Sequence, residues 1–98
     1  MHNVPDPHEL ESLSQRDLNE IIRRHKDYSE GRTGGARAVL QYRDLSGLDI
    51  GGADLSQADF TGSLLIDADM RGGNFCGAIF FACDLRNANV CNATLSRA

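Results

Sequence analysis

The chain has 98 residues, 41% of them apolar, with no Trp, 10 Gly and only 2 Pro, which limits it to one small domain with little room for a conventional core. Its formal charge of −4 divides as −3 over residues 1–13, +1 over 14–35 and −2 over 36–98, so no stretch is basic enough for a nucleic-acid footprint. Three cysteines, no charged-then-apolar leader and no apolar run near ~18 residues predict a soluble protein of a reducing compartment, by default the cytoplasm, with no membrane partner.

Residues 1–13 open with MHNVPDPHELES, polar and aperiodic with both prolines, and predict a disordered leader. Ser14 then stands where a helix N-cap belongs. Asp17 follows three residues later in an approximate capping box, and Leu13 and Leu18 can staple across it. Leu18, Ile21, Ile22, His25 and Tyr28 fall on one stripe at helical spacing, while Arg16, Asp17, Glu20, Arg23, Arg24 and Asp27 face away. Gly31 is placed to end an amphipathic helix of about four turns. His25 has no Cys, His or carboxylate companion at a useful spacing and reads as a packed or half-exposed histidine rather than a ligand or base. The following GRTGG lacks the GK[ST] ending of a phosphate loop and reads as a hinge, so residues 14–35 form a helix-and-hinge unit.

From Leu40 an apolar residue recurs at every fifth position: Leu40, Leu45, Ile50, Leu55, Phe60, Leu65, Met70, Phe75, Phe80, Leu85, Val90 and Leu95. Five steps along an α-helix rotate about 140°, and in a flat strand successive fifth residues alternate faces, so neither element buries the set. A coil that turns a corner every five residues does. The residue two before each centre is small at most corners, as at Ala38, Ala53, Ala58, Ser63, Ala68, Gly73, Ala78, Cys83, Ala88 and Ala93. The residue just before each centre is usually Asp or Asn, a former of local turns.

The runs GADLSQADFTGS and ACDLRNANVCNATL resemble the A(D/N)LxX repeats of the pentapeptide-repeat proteins, and the resemblance covers residues 36–98. It implies an all-β solenoid: a right-handed quadrilateral β-helix of about three coils, four pentapeptides per coil, with residues twenty apart stacked in columns. Leu45, Leu65 and Leu85 then align, as do Phe60 and Phe80. Arg43 and Leu48 occupy positions that should be small, which predicts a distorted first coil with Leu48 and Tyr42 reaching toward the helix. The stripe of Leu18, Ile21, Ile22 and Tyr28 is expected to cap the N-terminal end of the stack, the alternative being that it pairs with another helix.

No Ser, His and Asp set, paired carboxylates or metal-ligand spacing stands out. Cys76, Cys83 and Cys91 are separated by six and seven residues, unlike a zinc site or a redox pair, and no cofactor is expected. Cys76 and Cys91 should face outward, with Arg71 beneath Cys91 as the one cationic neighbour. What stands out is misplaced apolar surface. Leu64 and Ile66 flank Leu65, and Ile79 and Phe81 flank Phe80, one side and one coil away, with Val39 below. Such a cluster predicts a protein-contact patch, unless these side chains fold back locally and nothing docks. The ladder also runs to Leu95 with no closing element, so the last coil reads as an open edge available to a second copy, or as part of a longer repeat. The expected function is a non-catalytic interaction or scaffolding module whose partner is a protein, most simply itself. The alternative implied by the resemblance is a DNA-mimicking inhibitor of a DNA-binding enzyme such as a topoisomerase, against which the small net charge counts.

Overall fold

The computed structural model describes residues 10–98. Its elements are β1 (Glu11–Ser12), α1 (Gln15–Ser29) and β2 (Arg43–Asp44), with β1 and β2 paired in parallel.

α1 begins where its cap requires. Ser14 is extended (φ −76°, ψ 155°) and its side chain accepts a hydrogen bond from Asp17 N at 3.1 Å. The far end is a Schellman turn: Gly31 takes φ 73°, its N–H reaches Tyr28 O at 3.1 Å, and Arg32 N reaches Asp27 O at 2.8 Å. Gly35 then passes so close to the helix that a Cβ there would lie 2.3 Å from Tyr28 N. Only glycine permits that approach, and Ala36 N can then bond Arg24 O at 3.0 Å.

Beyond the hinge, single parallel bridges join Val39 to Asp59, Asp44 to Leu64, Asp49 to Asp69 and Asp54 to Asn74, and the same columns continue to Ile79, Asp84, Asn89 and Thr94. The chain therefore returns to the same side every twenty residues after four corners. Each side pairs through one bridged residue before turning, so only β2 is long enough to count as a strand within the coil, and the continuous β sides implied by a β-helix are not formed.

The corners explain this. At every corner from Tyr42 to Arg97 the residue two after the centre has positive φ, between 54° and 75°. The small residue that follows donates back to the centre's carbonyl, as Ala58 N does to Leu55 O at 3.1 Å, and even Leu48 N reaches Leu45 O at 3.1 Å. These are turns with a left-handed third residue, and five of the twelve sites hold Gly. The Asp or Asn before each centre accepts from the N–H two residues on: Ser46 N to Asp44 at 2.9 Å, Gly51 N to Asp49 at 2.8 Å, Cys91 N to Asn89 at 3.1 Å.

The centres Leu40, Leu45, Ile50, Leu55, Phe60, Leu65, Met70 and Phe75 are fully or almost fully buried. Phe60 and Phe80 stack at 5.1 Å with planes 2° apart, and Phe75 meets Phe80 edge-on at 5.9 Å. Inward side chains fill the tube.

Three expectations need correction. The leader over residues 1–13 ends earlier than expected: residues 1–9 lie outside the described residues, but Glu11–Ser12 pair with Arg43–Asp44, and Leu13 is buried with its N–H on Asp44 O at 3.0 Å. An unpaired lower edge at β2 supplies the partner. The first coil is not distorted, because its bridges keep the register of those above. Arg43 fits at the cost of a buried Nε that has no partner among the described residues. Finally, the stripe does dock with Leu18 buried and Ile21 and Ile22 packed on the core, but Tyr28 is 46% exposed. His25, one turn earlier, fills the buried place, and Tyr42 turns up the coil instead of down to the helix.

Candidate interaction surfaces

The lower end of the coil is closed by polar groups as well as apolar ones. β1 covers one side. On the next, the Gln15 amide both donates to Asp49 O and accepts from Asp49 N at 2.7 Å, imitating a strand residue. On the third, His25 bonds Ser56 O through Nε2 at 2.7 Å, and Ser29 Oγ donates to the Asp54 carboxylate at 2.9 Å. His25 Nδ1 accepts from Ala38 N at 2.9 Å, which assigns the proton to Nε2. Neither Gln15 nor Ser29, nor this use of His25, stands out in the sequence. Their only signal is a polar residue at the core-facing phase of the helix.

The side that carries Val39, Asp59 and Ile79 in one column and Gln41, Thr61 and Phe81 in the next is different. Phe81 is 74% exposed, Val39 55%, Ile79 41% and the neighbouring Tyr42 39%. Between them Asp59 is nearly buried. Its carboxylate accepts from Thr61 Oγ1 at 2.6 Å, Thr61 N at 3.0 Å and Gln41 Nε2 at 2.6 Å. The Thr61 hydroxyl above all, then its N–H and Gln41, hold the carboxyl below the usual range against the opposing effect of burial. Leu64 and Ile66, around the corner, are only half-buried. Leu64 lies in a column between Asp44 and Asp84, so polar residues separate it from neighbours above and below. Leu95 is 41% exposed on the last coil, where Leu85 and Val90 are also exposed.

Two of the coil's aspartates, Asp69 and Asp84, are each paired with the arginine two residues on. Arg71 grips the Asp69 carboxylate through Nε at 2.9 Å and Nη2 at 2.7 Å, which lowers that carboxyl to about 2. Arg86 holds Asp84 in the same way and also lowers it. Cys91 is exposed and shares its surface with Arg71, whose guanidinium is held on Asp69. Cys76 is half-buried. Cys83 faces inward, its Sγ 2.7 Å from Phe60 O, and burial pushes its thiol up. Among the described residues no three His, Cys, Asp or Glu side chains are grouped to hold a metal ion, and no helix is long and apolar enough to cross a membrane.

A coil of period twenty, left-handed corner residues and aspartates that cap the chain two residues on together define a repeat protein built in units of five. Comparison with known families agrees: the description "Pentapeptide repeats" matches in eight copies, over residues 44–80 and 58–97. The chain belongs to the pentapeptide-repeat family. That membership supports a non-catalytic repeat protein, a class generally structural or interaction-forming rather than enzymatic. No curated protein matches the chain.

Proposed function

We propose that this chain is a right-handed, four-sided β-helix acting in the cytoplasm as a protein-interaction or scaffolding module, with a second copy of itself as the simplest partner. The observation that carries the reading is Phe81, three-quarters exposed beside Ile79 in a protein whose other phenylalanines are stacked inside the tube. Exposed apolar surface of this kind on a small domain marks a contact site. The three free thiols suit a reducing compartment. Mimicry of DNA has less support, because Asp69 and Asp84 each carry their own arginine and the net charge is only −4.

Light scattering over a concentration range tests the module's self-association. A mass rising from monomer toward dimer is expected, and Phe81→Asp should hold the protein monomeric with its circular dichroism unchanged. A constant monomer mass across the range would remove self-association and leave a different protein as the partner to seek.

A further inference from the structure

We infer that two copies pack side by side and antiparallel through the face bearing Val39, Tyr42, Ile79 and Phe81, a geometry that rests on the self-association proposed above.

Apolar and polar residues alternate up that face. Val39, Asp59 and Ile79 are bridged in one column, on the lower, middle and upper coil. Phe81 stands beside Ile79 on the upper coil, and Gln41 and Tyr42 stand beside Val39 on the lower one. In the Val39 column apolar side chains occupy the first and third coils and Asp59 the second, with Val39 and Ile79 about 10 Å apart at the usual strand spacing. A two-fold axis lying across the middle coil turns one copy end over end. It sets Ile79 on the partner's Val39 and Phe81 over the partner's Gln41, and it does so twice, with the Tyr42 rings at the level of the axis because each reaches up over Gly62.

Tyr42 is prepared for this. Its ring lies so close over Gly62 that a Cβ there would be 2.4 Å from Cδ1 and Cε1. The glycine is what lets the ring settle against the coil, so little freedom remains to be lost on docking. Asp59 does not obstruct, because it is 8% exposed and its carboxylate is turned to Thr61 and Gln41.

A parallel pair is disfavoured by charge. Arg37 lines the surface with Val39 at the lower end of this face, beside Arg24, whose Nε lies 3.6 Å from the Glu20 carboxylate, so parallel packing would bring the two Arg37 guanidinium groups together, whereas the antiparallel pair keeps them at opposite ends. The four side chains expose on the order of 400 Å² per copy, within the range of functional patches. Two such faces bury roughly 800 Å², below the size of stable complexes, so the dimer should be weak and concentration-dependent.

A charge exchange tests this by sedimentation velocity. Val39→Glu and Ile79→Lys should each weaken the dimer by about tenfold or more, because each sets a charge against an apolar partner. The double variant Val39→Glu/Ile79→Lys places Glu opposite Lys at both contacts and should restore association, in a salt-sensitive form. Both sites are solvent-exposed, and unchanged melting would show that the coil is intact. A double variant as weak as the singles would overturn the antiparallel pairing. A dimer indifferent to all three but abolished by Leu95→Asp would overturn the face while leaving self-association standing. A monomer at every concentration would remove both.

Discussion

His25 decides how the coil is closed. Its ring is fully buried, accepts a hydrogen bond from Ala38 N and donates one to Ser56 O, so one side chain satisfies an open donor and an open acceptor of the lower coil. At the sequence level it is only an apolar-stripe histidine without companions, packed or half-exposed, and the structure shows it buried. Its two backbone partners lie 13 and 31 positions away, which no local pattern reveals. Replacing it by Leu keeps the apolar contact and strands both groups. His25→Leu should therefore lower stability by about 2–4 kcal/mol, read as a fall in the urea midpoint; an unchanged midpoint would mean that water replaces the ring without cost.

At the scale of elements, α1 was legible from end to end. Ser14, Asp17 and the stripe located its start, and Gly31 its end, because caps are local chemistry. The direction of the helix against the coil was not legible, since it depends on the Gly31–Gly35 link. Gly35 touches Tyr28 backbone that cannot yield, whereas the space around Gly52 is open and its constraint is a φ of 67° alone. Gly35→Ala should accordingly push the hinge off the helix, break the Ala36–Arg24 bond and cost about 1–3 kcal/mol. Gly52→Ala should cost about 1 kcal/mol, from the left-handed backbone only. Thermal melts that rank the two the other way would show that the helix end adapts more easily than its backbone contact implies.

For the whole molecule, the acidic columns couple the corners to pH. Asp59, Asp69 and Asp84 are held below their ordinary value of 3.8 by the Thr61 hydroxyl, Arg71 and Arg86 respectively. A carboxyl whose folded value is depressed adds stability that is complete above the ordinary value and disappears as pH falls through the folded value. For Asp69 that window runs from 3.8 to about 2. Urea midpoints should thus fall as pH drops from 3.8 toward the depressed folded values, about 2 for Asp69. Asp69→Asn should make the fall between 3.8 and about 2 shallower. An equally steep fall in that variant would place the acid sensitivity in other carboxylates.

The five-residue period, the filled tube and the turn-forming role of Asp and Asn were determined by the sequence alone, because each follows from which side chains must leave water and which can bond their own backbone. The left-handed corner was also written there, in Gly47, Gly52, Gly62, Gly72 and Gly77 at one phase, although the small residues next to them are the more conspicuous signal. The misplaced Ile79 and Phe81 could be seen as outward-facing from the period. Tertiary structure decided the rest. β1 exists only because β2 offers it an edge, and Tyr28 yields its place to His25 because the coil presents polar groups at that point. Leu64 and Ile79 hold the same place in the repeat, yet Leu64 is half-buried and Ile79 exposed, because a side chain's exposure depends on its column, and a column joins residues twenty apart.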